Sequence, residues 1–158
     1  MTAIDLRARV QAVTERIRGL YVDVDLERQL NESFPAGGEV FRALEEACRA
    51  GIEGGWLCTQ GGRGRRLGRV FEPAEDLAGY SVDVVELEDF VGPLHTHPEG
   101  EICLVMPVDP TAKFLGRKAG WAVYPPGSAH RPAVSGGKAM VLYMLPHGRI
   151  EWTKPAGY

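Results

Sequence analysis

Apolar residues over the first fifty positions recur at helical intervals. Leu6, Val10, Val13, Ile17 and Leu20 stand four and three apart, which lays one apolar stripe along a helix. Thr2 followed by Asp5 has the form of a capping pair at its start. Asp23 to Leu30 predicts a short second helix that stops near Pro35, with Gly37-Gly38 continuing the break. Glu39 to Ala50 predicts a third, with Val40, Phe41, Leu44 and Ala47 on one face and Gly51 as its stop.

After Gly54 the pattern changes. Trp56-Leu57-Cys58 opens a run of short segments rich in Val, Tyr, Leu and Trp. Turn-forming clusters separate them at Gly61-Gly62, Pro73 to Asp76, Gly92-Pro93, Pro98 to Gly100, Asp109-Pro110, Gly116 to Gly120, Pro125 to Gly127 and Gly136-Gly137. Turn signals at such intervals predict an antiparallel barrel or sandwich. The expected organisation is a helical region over residues 1–53, packed on a mainly β barrel domain over residues 54–158, as one compact unit. No internal repeat or low-complexity segment stands out.

Composition narrows the function classes. A chain of 158 residues is one ordinary domain and can hold its own core without staples. The counts of 20 Gly and 11 Pro agree with many turns. A net charge of -3 argues against a general affinity for nucleic acid or anionic membrane. The N-terminus shows no basic segment followed by an apolar run, and no stretch reaches the roughly 18 apolar residues of a membrane span, so a cytoplasmic enzyme is expected. Cys48, Cys58 and Cys103 are odd in number, widely spaced and without a CxxC pair, so reduced thiols are expected.

Candidate chemistry concentrates between Gly92 and Glu101. In a strand, residues i and i+2 face the same side, so His95 and His97 point together. Pro98-Glu99-Gly100 forms a turn, and Glu101 then begins the next strand close to both. Two imidazoles and a carboxylate suit borderline divalent metals such as Fe, Mn, Ni, Co or Zn, and one such ion per chain is expected. The plain alternative is a histidine pair at an exposed strand end; Glu101 after a tight turn weighs against it. Downstream, Pro125-Pro126-Gly127-Ser128-Ala129-His130 is a Pro-Gly turn followed by a histidine, a candidate fourth ligand at a barrel mouth.

Residues 92–106 resemble the first cupin motif, HxHxxxE, and residues 120–130 resemble the second, PxGxxH. The resemblance implies a small antiparallel β-barrel (a double-stranded β-helix) around a metal held by His95, His97, Glu101 and His130, and a homodimer. Two departures are evident: Gly92 is nearer the first histidine than the usual glycine, and Val134 stands where an Asn often follows the last histidine. A closer resemblance, to the 4-hydroxylaminobenzoate lyase family, covers nearly the whole chain. It is carried by the helical N-terminal third, Gly120-Trp121, Pro126-Gly127-Ser128-Ala129-His130-Arg131-Pro132 and Leu142-Tyr143-Met144-Leu145-Pro146. It implies conversion of 4-hydroxylaminobenzoate and water to 3,4-dihydroxybenzoate and ammonia, within bacterial breakdown of 4-nitrobenzoate. The competing readings are another metal-dependent cupin enzyme, a dioxygenase or isomerase, and a non-catalytic small-molecule binding cupin.

Under the lyase reading, Glu99, Glu101 and Tyr124 are the candidate catalytic side chains. Glu99 lies in the turn beside the ligands and can move a proton, against the plainer role of a solvated turn carboxylate. Tyr124 precedes the Pro-Pro turn and either reaches the pocket mouth or packs in the core. Arg131 offers a two-pronged donor to a benzoate carboxylate, although strand alternation sets it opposite to His130. Cys103 shares strand parity with Glu101, which makes it a candidate substrate contact facing the cavity, with buried packing as its plainer role. Arg63, Arg65, Arg66 and Arg69 form a basic stretch, read as a solvated hairpin or as a site for a carboxylate or a partner. The glycines match neither GxGxxG nor a phosphate loop, which excludes a nucleotide site. His147 falls in a turn and is expected at the surface.

Overall fold

The computed structural model describes residues 1–153; the last five residues of the expected barrel domain lie outside the described residues. Thr2 and Asp5 form a reciprocal cap: the Asp5 carboxylate accepts from the Thr2 N–H at 2.6 Å, and Thr2 Oγ1 accepts from the Asp5 N–H at 3.4 Å. They start helix α1 (Ala3–Ile17). The helix ends before the stripe does, because Gly19 takes a φ of 78°, and Leu20 is left 37% exposed. Asp23 caps α2 (Val24–Ser33) by accepting from the Leu26 N–H at 3.0 Å. Helix α3 (Glu39–Glu53) runs straight through Gly51, the expected stop, and is capped by Gly54. Gly51 serves packing instead: a Cβ there would meet the Trp56 ring at 2.9 Å.

The strands follow as β1 (Gln60–Gly62), β2 (Arg65–Phe71), β3 (Tyr80–Val91), β4 (His95–His97), β5 (Glu101–Pro107), β6 (Lys113–Phe114), β7 (Gly120–Tyr124), β8 (Ser128–His130), β9 (Ala133–Pro146) and β10 (Glu151–Trp152), with a 3-10 turn at Glu75–Leu77. The pairings are antiparallel. Two expectations shift. The first strand begins at Gln60 rather than Trp56, because Cys58 takes a φ of 53° that breaks extended backbone. Gly136-Gly137 is not a turn but a bulge inside β9, where both glycines have positive φ and the register against β3 shifts between Glu88 and Phe90.

The large sheet runs β1-β2-β3-β9-β5-β7, with β6 also on β9; the small one runs β10-β4-β8. Strand β5 and the second half of β9 are buried on both faces, so they read as near-continuous apolar runs. Alternation sorts the two faces. Ile102, Leu104 and Met106 of β5, with Met140, Leu142 and Met144 of β9, join the cluster that holds Leu6, Val10, Leu26, Leu30 and Leu44 of the helices. Cys103, Val105, Ala139 and Val141 join a second cluster inside the barrel. Strand β7 ends the large sheet, and α2 covers its open edge: the Asn31 amide donates to the Trp121 carbonyl and accepts from the Trp121 N–H, each at 2.9 Å. Among the described residues no helix is long and apolar enough to cross a membrane.

Candidate metal centre

Strands β4 and β8 pair so that His95 lies opposite His130 and His97 opposite Ser128. His95 and His97 share one face by the two-residue strand period, and His130 joins that face as the cross-strand partner of His95. Glu101 comes from the other sheet. The chain leaves β4, turns through Pro98–Gly100 and enters β5 with Glu101 as its first residue. Gly100 makes this crossing tight. Its φ is 92°, and a Cβ would meet Val22 Cγ1 at 2.7 Å and the Tyr124 carbonyl oxygen at 2.9 Å. The His97 carbonyl accepts from the N–H groups of both Gly100 (3.2 Å) and Gly127 (2.8 Å), which ties the two turns together.

His97 Nε2 lies 2.9 Å from Glu101 Oε2 and 3.2 Å from His130 Nε2; His130 Nε2 lies 3.5 Å from Glu101 Oε1. The His95 ring centroid is 4.6 Å from that of His97 and 4.9 Å from that of His130. One donor atom from each of the four residues falls within 4.8 Å of the others. His95, His97 and Glu101 are buried and His130 is half-buried. Burial works against the Glu101 charge, but hydrogen bonds from His130 and His97 outweigh it and hold the carboxyl at about 2. Burial, reinforced by the neighbouring His97, pushes His95 down to about 4, which leaves a neutral imidazole at pH 7.

These residues fit a divalent transition metal. Neutral imidazole nitrogens and an ionised carboxylate are the forms that ligate. Nδ1 of His95 and Nδ1 of His97 are buried without a hydrogen-bond partner. Nε2 of His97 and Nε2 of His130 face each other at 3.2 Å, and both face the Glu101 carboxylate. A cation among the four donors satisfies the facing nitrogens and the carboxylate together.

The group opens on a cavity of about 150 Å³ between the two sheets. By volume that is room for roughly five waters. His95, Glu101 and His130 line it, and its walls are apolar: Leu67, Leu87, Phe90, Phe114 and Val141. Three polar or aromatic contributors come from elsewhere: Arg65 of β2, Tyr143 of β9 and Trp152 of β10, whose ring lies 4.9 Å from that of His95. Sequence reasoning assigned no site role to Tyr143 or Trp152. Strand parity carried a usable signal for Tyr143, two residues beyond the inward-facing Val141; nothing local marked Trp152.

The remaining candidates take these places. Glu99, expected beside the ligands as a proton carrier, turns away from the cavity: Oε1 meets His147 Nδ1 at 3.0 Å and Oε2 lies 3.8 Å from Arg149 Nε. The left-handed Gly100 redirects the chain between Glu99 and Glu101, so the two carboxylates leave on different sides. His147 is exposed in its turn. The Tyr124 ring packs edge-on against His130 at 4.7 Å, with its buried hydroxyl unpartnered, but Tyr124 does not line the cavity. Cys103 is fully buried, and its thiol donates to Glu101 Oε1 at 2.9 Å. Arg131 is exposed, lies just beyond the end of β8 and does not line the cavity. In the basic stretch, Arg66 pairs with Glu86, and Arg69 with Asp83 at 3.3 Å.

The position of Glu99 predicts that Glu99→Gln keeps turnover within about threefold, because only a surface pair of modest worth is lost. Steady-state kinetics check this; a fall beyond about 100-fold would return Glu99 to the chemistry.

A family model described as 4-hydroxylaminobenzoate lyase matches residues 8–152. The chain is similar to a protein named 4-hydroxylaminobenzoate lyase from Nocardioides sp. (strain LMS-CY), 35% identical over 84% of this chain and 85% of that one. It is also similar to one of the same name from Pseudomonas putida, 29% identical over 94% of this chain and 90% of that one. Among solved structures, the DMSP lyase DddQ from Ruegeria pomeroyi DSS-3 matches with a TM-score of 0.58 at 18% identity, over 99% of this chain and 98% of that one. That likeness is one of fold. The architecture is a cupin-type antiparallel β-barrel behind a helical N-terminal region.

Proposed function

Since this chain belongs to the 4-hydroxylaminobenzoate lyase family and is an enzyme, we propose that it converts 4-hydroxylaminobenzoate and water to 3,4-dihydroxybenzoate and ammonia at the His95, His97, Glu101 and His130 group. The observation that carries the reading is the opening of this ligand group into a cavity with apolar and aromatic walls, of a size for one substituted ring.

The reaction balances without an outside oxidant. The N–O bond breaks and its oxygen leaves as water. Water adds at the ring carbon beside the nitrogen-bearing carbon, which leaves an imine. Hydrolysis of that imine releases ammonia, and loss of the ring proton restores the aromatic ring. His95, His97, Glu101 and His130 would hold a divalent ion, which when bound supplies Lewis acidity and an acidified water.

The chain's own groups supply the rest. Leu67, Leu87, Phe90 and Val141 hold the ring and exclude bulk water, which strengthens every polar contact inside. Glu101 stays ionised, so it serves as an acceptor and anionic ligand rather than as a proton donor. The Cys103 thiol steadies its Oε1 by donating to it. Burial pushes the Tyr143 phenol up, so at neutral pH Tyr143 keeps its proton and offers a neutral O–H donor at the cavity wall.

An anaerobic incubation of purified protein with 4-hydroxylaminobenzoate, following ammonia and 3,4-dihydroxybenzoate together, tests the proposal. Equimolar release of both is expected, lost after chelation and restored by added metal. No product from metal-replete protein would sink the lyase reading, and oxygen uptake on aromatic acids would then be measured.

A further inference from the structure

The cavity holds one feature that the chemistry at the His/Glu group does not use. Among its lining residues, Arg65 is the one cation that is not a candidate metal ligand. Strand register puts it there. Arg65 lies opposite Leu87, and Leu67 opposite Val85, and all four line the cavity. Residues 65 and 67 of β2 therefore share the cavity side, with Arg65 exposed at its rim, and Arg66 takes the opposite side.

The neighbouring arginines on this strand are committed. Arg66 pairs with Glu86; Arg69 pairs with Asp83 at 3.3 Å and with Glu72 at 3.5 Å. Among the described residues no carboxylate pairs with Arg65. Its guanidinium carbon instead lies 5.6 Å from the centre of the Phe90 ring, itself a wall of the cavity. Stacking on an aromatic face holds the guanidinium plane in place and leaves the donors along its edge for a ligand.

We infer that Arg65 binds the carboxylate of the substrate and makes the cavity selective for aromatic acids over neutral aromatics. The inference rests on the lyase reading for the identity of the substrate. A carboxylate left unpaired among Leu67, Leu87 and Phe114 would be costly, whereas a planar guanidinium meets both of its oxygens at once. The carboxylate and the hydroxylamino group stand at opposite ends of the ring. Capture of the first by Arg65 leaves the second for the His/Glu group on the same cavity.

The test uses full-length protein with two probes, 4-aminobenzoate and 4-aminobenzamide, bound and read by calorimetry. Kinetics on 4-hydroxylaminobenzoate accompany it in Arg65→Gln, Arg65→Lys and the outward-facing control Arg66→Gln. Wild-type protein binds the acid more tightly than the amide. Arg65→Gln loses that preference and raises KM about 10- to 100-fold, the worth of a charged hydrogen-bond pair, with kcat changed far less. Arg65→Lys falls between, since it keeps charge without the fork, and Arg66→Gln behaves as wild type. Should Arg65→Gln not fold, Arg65→Lys and the wild-type preference decide. No acid preference in the wild type, or one untouched in a folded Arg65 variant, overturns the assignment. Acid preference lost on substitution, in a protein that turns over no hydroxylaminobenzoate, keeps Arg65 as an acid anchor and fails the lyase reading alone.

Discussion

His97→Ala removes bound metal and turnover together. His97 is fully buried, and its Nε2 stands within 3.2 Å of both Glu101 and His130, nearer to two other donors than any further atom of the group. Its loss leaves two imidazoles and a carboxylate around a hole. Lewis acidity is worth several kcal/mol at a transition state, so turnover falls by about 10³-fold or more. Metal content of the purified protein, read by elemental analysis, falls with it. Stability follows: a metal at roughly 1,000 times its Kd adds about 4 kcal/mol to the wild type, or about 8–16 °C in Tm for a chain of this length. His97→Ala forfeits that increment and gains nothing from added metal. Glu101→Gln keeps the shape and removes the anionic ligand, so metal retention falls, and a wild-type circular dichroism spectrum separates ligand loss from fold loss. Its metal-free Tm falls as well, because the ionised carboxyl accepts from His97, His130 and Cys103. A His97→Ala protein that keeps its metal and its turnover within tenfold would place the ion elsewhere.

Much of this site was legible in the sequence because it is local. His95 and His97 sit two apart on one strand, and the Pro98–Gly100 turn returns the chain at once, so the period of two and the turn chemistry suffice to bring three donors near each other. What the sequence does not reveal is that the turn joins two sheets rather than two strands of one hairpin: β4 pairs with β8 and β10, whereas β5 pairs with β7 and β9. That crossing is why Glu99 and Glu101 diverge, since the glycine between them takes a φ of 92°. Period alone would have kept residues 99 and 101 on one side.

The cavity walls were less legible for a related reason. Leu67, Phe90, Val141 and Trp152 meet only through the register of β2, β3, β9 and β10, and register depends on the whole sheet. The same limit applies to glycine. Gly51 looked like a helix stop and Gly136-Gly137 like a turn, but each marks a close approach, to Trp56 and within a bulge. A glycine in sequence reports a backbone without a Cβ, not the reason for its absence. Helix α3 passes Gly51 because the packing of Trp56 and Leu57 against it outweighs the weak propensity cost of about 1 kcal/mol.

Asn31→Ala tests whether the helical region holds the site in shape. Strand β7 is the last of the large sheet, so the outward N–H and C=O of Trp121 have no strand to pair with. Asn31 meets both at 2.9 Å with one amide, and Glu27 Oε1 accepts from the Val123 N–H at 3.0 Å. Two side chains of α2 thus complete the sheet edge as a neighbouring strand would. Alanine leaves both Trp121 groups without a partner beside a buried indole. Each unsatisfied group costs about 1–3 kcal/mol, so the variant loses roughly 2–4 kcal/mol once partial hydration is allowed. Thermal unfolding then falls by about 4–16 °C. Asn31→Asp keeps the acceptor and loses the donor, and lands between the two. The effect reaches the metal centre through register: β7 ends at Tyr124, the direct partner of Glu101 on β5. Loosening the β7 edge therefore weakens metal retention in Asn31→Ala, although Asn31 touches no ligand. Stability and metal affinity both within error of wild type would mean that Trp121 packing, with its indole N–H donating to the Phe34 carbonyl at 3.0 Å, holds the edge without the amide.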